Sequence, residues 1–388
     1  LAQKKKRTRF VIVFLFFIVY FFIAARPIPR ETVLAPGWVV SLQNASEIQS
    51  DSGIFAAAQQ FFPFTLGGYF GYADSSGQFA LNRIKTNDIY LGQNMWTEYG
   101  AEPESLSINN INDNTVLTVE NAGGYPILLD DRVFILGSEQ NSLSEIDASG
   151  NKLWTYESGA PLTCIDVRAG LVLTGSLDGA VEVFNSSGER IFYFEPGGSR
   201  YSVILGCAMS RNGSRIAVIC GIDNQRFLLF ERLENTGGEY KIIYHEFLDT
   251  GFRRPVRVAF IDNDQRIAYE RSGGIGFYNT RSRRAMFIPL EGEIAAIENS
   301  GAQGLLFLVT SHGLVELESS RRKNLVGIKF PPEGIFGYSR TAAQDAIFLR
   351  APFKSDDVFL GRIRTSGSSS MLVTGGGTKL ISFNLEER

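Results

Sequence analysis

Only two histidines occur in the 388 residues, His245 and His312, and neither has a histidine or cysteine at metal-ligand spacing. His245 lies in an alternating run, Tyr244-His245-Glu246-Phe247, and His312 precedes Gly313 at a turn. Both read as structural. A dispersed Ser-His-Asp site stays open, because triads are defined by geometry and not by chain order. No Gly-x-Ser-x-Gly elbow is present. Asp262-Asn263-Asp264 opens like a calcium loop but lacks the later ligands, so a hairpin turn is expected. Gly273-Gly274-Ile275-Gly276 and Gly375-Gly376-Gly377 offer amides as phosphate loops do. No helical pattern or Gly-Lys-Ser/Thr follows either, and both read as turns. No catalytic residue, cofactor or metal site is assigned.

Three cysteines remain, Cys164, Cys207 and Cys220. Cys207 and Cys220 flank a hairpin turn at Arg211-Asn212-Gly213-Ser214 and lie on one face, diagonally rather than opposite. A disulfide between them is left open, since its geometry is demanding, and buried thiols are the commoner outcome. The other candidate for binding is basic. Arg253, Arg254 and Arg257, then Arg281, Arg283 and Arg284, then Arg321, Arg322 and Lys323 form three late clusters. The last two are expected in corresponding outer turns of neighbouring repeats, where they form an interaction patch for an acidic partner or lipid headgroups.

The elements that must position these groups are short strands. Gly is abundant at 40 residues and Phe at 30, among brief β-branched and aromatic runs. Residues 133–156 (VFILGSEQNSLSEIDASGNKLWTY) overlie 171–194 (LVLTGSLDGAVEVFNSSGERIFYF) without a gap. Gly137 meets Gly175, Ser149-Gly150 meets Ser187-Gly188, and Trp154 meets Phe192. Each unit reads as three strands with Gly-Ser and Ser-Gly turns between them. Weaker copies fall at 216–230, 275–279, 311–318 and 372–384, with block starts near Gly124, Pro161, Tyr201, Arg253, Glu293 and Glu333. That spacing suits a four-stranded propeller blade of about 40–50 residues.

The run EIDASGNKLW at 145–154 and the turn Gly175-Ser176-Leu177-Asp178-Gly179 resemble the repeat of pyrroloquinoline-quinone-like propellers. In that family a Gly-Ser-x-Asp-Gly turn precedes a strand that runs into Asp-Ala-x-Thr-Gly-Lys-x-Leu-Trp. The likeness is closest over 124–198 and weaker over most of 54–388. WD40-like propellers are the neighbouring family, although a regular Gly-His and Trp-Asp pattern is absent. The resemblance implies an all-β propeller of four-stranded blades. It implies no activity, since many such propellers bind no quinone, the outer-membrane assembly scaffold among them. Quinone enzymes of this type need a quinone pocket, a calcium site and a catalytic acid, and some carry adjacent cysteines. This chain has no Cys-Cys and only three Trp.

Seven blades are expected, or eight if the irregular stretch 54–123 supplies two. The last copy ends after its third strand. Trp38-Val39-Val40-Ser41-Leu42 resembles a missing outer strand, so residues 38–42 are expected to complete the final blade and close the ring.

Residues 10–25, from Phe10 to Ala25, carry no charge and follow Lys4, Lys5, Lys6, Arg7 and Arg9. At about 1.5 Å per residue the run covers roughly 24 Å, and Arg9 and Arg26 can snorkel to span the remainder of the bilayer. The basic cluster sets the N-terminus inside. A cleaved signal peptide begins the same way, but Ile23-Ala24-Ala25 followed by Arg26-Pro27 is a poor cleavage site. No cysteine lies near residue 25, so a lipoprotein anchor is not expected.

The expected organisation is a basic cytoplasmic segment at 1–9, an uncleaved signal-anchor helix at 10–25, a linker at 26–37 and a propeller at 38–388. Seven of the 38 basic residues lie in 1–30, where there is no acid. This leaves 31 against 41 acidic residues and a net charge of −10 in the remainder. A body this acidic does not suit nucleic-acid binding. The leading functional expectation is a non-enzymatic scaffold for a protein partner, periplasmic and tethered to the inner membrane of a bacterial envelope. A small-ligand sensor or an enzyme with its site in the funnel are the alternatives.

Overall fold

The structure, a computed structural model, describes residues 13–20, 32–44, 60–101, 103–233, 238–249, 251–290, 294–299, 305–310, 313–318, 321–324, 347–348, 358–364, 370–376 and 378–387. Strands dominate, and they form eight antiparallel sheets among the described residues. These are numbered in chain order: blade 1 spans 61–84, blade 2 88–120, blade 3 124–157, blade 4 162–194, blade 5 204–247, blade 6 258–289, blade 7 294–324 and blade 8 358–387. Six sheets have four strands, blade 1 has three and blade 4 has five.

The eighth sheet arises because 54–123 contributes two sheets, blades 1 and 2, in place of one enlarged blade. Blade 8 begins at Val358, well beyond the expected block start at Glu333, which lies outside the described residues.

Within a blade the first strand is innermost and buried on both sides, because a neighbouring blade covers each face. Leu162–Arg168 of blade 4 and Ile204–Met209 of blade 5 are of this kind. Fourth strands such as Lys152–Glu157 alternate between exposed and half-buried positions. Apolar clusters fill the blade interfaces. Blades 4 and 5 share Leu173, Val183, Ile204, Val218 and Phe230; blades 5 and 6 share Ile219, Phe227, Ile267 and Tyr269. Each fully buried side chain of this size contributes roughly 1.5–3 kcal/mol. The turns that repeat at fixed offset are structural for the same reason. Gly188 has φ +76°, and a Cβ there would come within 2.5 Å of the Trp154 ring of blade 3.

The ring closes through the N-terminal strand. Thr32–Ser41 pairs antiparallel with Lys379–Glu387, from Thr32 opposite Glu387 to Ser41 opposite Lys379. It is the outer strand of blade 8, as expected for 38–42, but it starts at Thr32, inside the stretch assigned to the linker 26–37. Val358–Arg364, the inner strand of blade 8, touches the inner strands of both blade 7 and blade 1.

Two ends of the ring follow from this pairing. The linker end carries the connections between blades and the turns from second to third strands. The far end carries the other hairpin turns. Ser41 reaches the linker end, so the chain enters the ring at the far end, at Thr32.

One further strand lies on the axis side. Ile347–Phe348 pairs with the free inner edge of blade 4, Phe348 opposite Cys164 and Ile347 opposite Ile165. Near the N-terminus, residues 13–20 are helical. No helix among the described residues is long and apolar enough to cross a membrane. The rest of the 10–25 run lies outside the described residues.

Candidate functional site

The first basic cluster lies apart from the other two. Arg254 is turned inward: its guanidinium grips the buried Glu270 carboxylate at 2.6 and 3.1 Å and lies 4.6 Å from the centre of the Phe252 ring. Arg257 is buried, its Nη1 donating to the Ile294 carbonyl of blade 7 at 2.7 Å. Its backbone N–H donates to Glu270 Oε2 at 3.3 Å. Arg257 thus joins blades 6 and 7, Arg254 ties the incoming connection to blade 6, and of this cluster only Arg253 is exposed.

Arg281, Arg283 and Arg284 are exposed, but at the opposite, far end of blade 6, where the N–H of Thr280 bonds to Gln265 O of the Asp262–Gln265 turn. Arg321, Arg322 and Lys323 open the outer strand of blade 7, Arg321–Asn324, with Arg321 opposite Glu318 at the same far end that carries Arg281, Arg283 and Arg284 on blade 6.

Asp262-Asn263-Asp264 is a turn, with all three residues at positive φ. Asp262 pairs with Arg266, while Asn263 and Asp264 accept from Arg211 of blade 5 at 3.0 Å each. The triplet therefore ties two blades together. Gly273 sits in the turn between Arg266–Arg271 and Gly274–Asn279. His245 is exposed on the outer strand of blade 5, and His312 lies outside the described residues.

The linker end of blades 4 to 6 holds a surface that residue spacing did not indicate. Leu177, Tyr201 and Phe247 are 50%, 57% and 58% exposed, three large apolar side chains at one end of blades 4 and 5. Leu177 sits in the turn between the second and third strands of blade 4. Gly179 lets that turn press on the incoming connection, since a Cβ there would lie 2.1 Å from the Ser202 carbonyl. Tyr201 is on that connection. Its loop is held by Asp223, which accepts the Arg200 N–H at 3.1 and 3.2 Å and the Ser199 hydroxyl. The hydroxyl and the amide hold the Asp223 carboxyl down at about 2, so it stays charged across the neutral range.

Beside this loop a cleft of about 520 Å³ opens between blades 5 and 6. Asp223, Asn224, Phe247, Asp249 and Ser272 line it, over the buried Gln225. Gln225 is anchored by donating Nε2–H to the Phe252 carbonyl at 2.5 Å, and its backbone carbonyl accepts from the Leu248 N–H at 2.8 Å. Below the cleft wall, Glu246 accepts from Tyr269 at 2.8 Å, Arg271 at 2.9 Å and Tyr244 at 3.2 Å, which fixes the outer strand that carries Phe247. The result is an acid-lined depression edged by the exposed Phe247. It suits a polypeptide with basic and apolar side chains. Among the described residues no group of three or more His, Cys, Asp or Glu could hold a metal. One signal in the sequence did mark this surface: Leu177 stands where the aligned copy in blade 3 has Glu139.

A family model described as beta-propeller protein matches residues 1–365. A protein of Treponema pallidum (strain Nichols), described as uncharacterized, is 27% identical over 289 residues, 73% of this chain and 75% of that protein. Among solved structures, BamB from Moraxella catarrhalis is similar at a TM-score of 0.55 and 12% identity, over 91% of this chain and 97% of that one. KlHsv2 with loop 6CD replaced by a Gly-Ser linker reaches a TM-score of 0.45 at 14% identity, over 61% and 83%. The BamB likeness is one of fold, and it agrees with the pyrroloquinoline-quinone-like repeat. With blades of one topology around a closed ring and a family model spanning most of its length, this chain belongs to the β-propeller protein family.

Proposed function

We propose that this chain is a non-enzymatic interaction scaffold of the bacterial cell envelope, tethered to the inner membrane by residues 10–25 with its propeller on the periplasmic side. The observation that carries the docking role is the exposed Phe247 at the acid-lined cleft, with Tyr201 and Leu177 exposed at the same end of the ring. Asp223 and Asp249 line the cleft, and the exposed Asp178 and Glu195 stand at the same end of blade 4, so the partner is a polypeptide segment with basic side chains among apolar ones.

Chain direction supports the tethered reading. The segment that follows residues 10–25 joins the ring at Thr32, at the far end. An anchor there leaves the linker end pointing away from the bilayer, open to a partner. It also turns the exposed Arg281, Arg283 and Arg284 toward lipid headgroups. The alternative of a ligand in the funnel is weakened by Ile347–Phe348, which occupies the axis-facing edge of blade 4.

A photo-crosslinking side chain placed at Tyr201 or Phe247 of the full-length chain in native membranes tests the docking role. A discrete adduct with another polypeptide is expected from these positions and not from Arg283 at the far end. Equal yields from both ends, or none at Tyr201 and Phe247, would overturn it. Reporter fusions after Arg388 test the side of the membrane, and cytoplasmic reporter activity would refute the placement.

A further inference from the structure

Cys164, Cys207 and Cys220 are all free thiols buried in the single apolar cluster between blades 4 and 5. The pair left open by the sequence, Cys207 with Cys220, is not the close one. In blade 5 Cys207 stands opposite Val218 and Cys220 opposite Ile204. Cys220 instead lies beside the Arg226 guanidinium, which lowers the thiol against the stronger upward effect of burial.

The neighbour of Cys207 is on the other blade. The inner strands Leu162–Arg168 and Ile204–Met209 lie side by side. The N–H of Met209 donates to Asp166 Oδ2 at 2.6 Å, which fixes the two strands at an offset of 43 residues. Cys164 and Cys207 have that same offset, each two residues earlier. Since side chains repeat every second residue along a strand, they share the face on which Asp166 meets Met209. The Cys207 thiol is pushed well up, first by burial and then by the neighbouring Cys164 thiol. Gly175, opposite Cys164, leaves the sulfur its space, because a Cβ there would approach it to 2.7 Å.

We propose that Cys164 and Cys207 form a disulfide site that joins blade 4 to blade 5, while Cys220 remains a thiol. One cysteine thiolate attacks the disulfide of a thiol–disulfide oxidant and releases one oxidant thiol. The second cysteine then attacks the mixed disulfide and releases the other. Two protein thiols become one S–S bond, and two electrons and two protons end on the oxidant as two thiols. Both sulfurs are closed to solvent in the finished ring, so the exchange takes place while blades 4 and 5 are docking. In the cell, the oxidant is supplied by the extracytoplasmic placement proposed above.

The test begins with the full-length chain in detergent, reduced and unfolded, then refolded in oxidised and reduced glutathione. Remaining thiols are alkylated and the peptides analysed by mass spectrometry. The expected result is a Cys164 peptide linked to a Cys207 peptide, lost on reduction, with Cys220 alkylated. Cys220→Ser should leave the link intact, and Cys164→Ala should remove it. Three alkylated thiols in refolded protein of native circular dichroism, or a link through Cys220, would overturn the site. The same peptides are then sought in membranes alkylated directly from cells. A link formed in glutathione but missing from membranes would uphold the site and refute the extracytoplasmic placement.

Discussion

Trp38 is the side chain on which ring closure should depend most. It sits at the bulge between Pro36 and Val39 in the closing strand, and its N–H donates to the buried Ser382 Oγ at 2.7 Å. Its indole reaches out of blade 8. Nε1–H donates to the Ser75 carbonyl of blade 1 at 2.9 Å, and the ring covers Gly77, where a Cβ would come within 2.8 Å. The same side chain packs on the cluster of Leu42, Phe62, Phe64 and Leu66.

Truncating a fully buried large aromatic costs about 3–5 kcal/mol, so half-buried Trp38 should lose about 2 from packing. The lost indole hydrogen bond adds about 1 kcal/mol. Trp38→Ala is therefore expected to destabilise by about 3 kcal/mol, roughly a hundredfold in the folded-to-unfolded ratio. Trp38→Phe should lose only about 1 kcal/mol, the hydrogen-bond share. Val39→Ala is the control, because Val39 lies on the same strand but is 62% exposed. Urea titration of the full chain in detergent, with midpoints compared at equal slope, gives the differences. If Trp38→Ala falls within about 0.5 kcal/mol of Val39→Ala, the closing strand is held by backbone pairing alone and the reasoning fails.

Two other perturbations follow from buried charges. Glu270→Ala strips Arg254 and the Arg257 N–H of their shared carboxylate. It should destabilise by about 3–5 kcal/mol; a loss below about 1 kcal/mol in urea titration would mean that Arg254 is a surface residue after all. Asp166 is fully buried, and burial pushes its carboxyl up from 3.8 to about 6, against the opposing pull of Arg168 and the Met209 and Val167 amides. The folded state therefore binds the proton more tightly than the unfolded chain, so stability falls as pH rises from about 4 to about 6. The shift of about two units corresponds to roughly 3 kcal/mol. The unfolding midpoint of the native chain should drop relative to Asp166→Asn over that window, and parallel pH profiles would refute the assignment.

Repetition made most of the architecture readable. Identical turn positions in 133–156 and 171–194 reflect turn conformations and close blade packing, as at Gly188 against Trp154. Those constraints recur wherever a blade recurs. The closing strand was legible because Trp38 and its neighbours resemble an outer strand with no inner partners nearby. The blade number was not, because 61–84 supplies only three strands and its turns keep no fixed offset from 88–120. Blade 8 was misplaced because the long interval before Val358 sends Ile347–Phe348 to blade 4 instead.

The first basic cluster misled for a different reason. Spacing shows that Arg254 and Arg257 are close in sequence, but Glu270 and the Ile294 carbonyl decide that they point inward. The docking surface depends likewise on a turn, a connection and a strand end meeting at one end of the ring, which no local pattern encodes beyond the odd Leu177.

The direction of the closing strand has a mechanical consequence. A load applied through the N-terminus enters at Thr32, at the far end, and runs along the strand toward Ser41. Pulled away from that end, Thr32–Ser41 is loaded in shear, with its register pairs against Lys379–Glu387 strained together rather than opened one at a time. The indole of Trp38 adds a lateral peg in blade 1 against sliding. The seam that closes the ring thus lies along the direction in which paired strands resist force best, and a pull from the N-terminal side loads the whole joint before it can part.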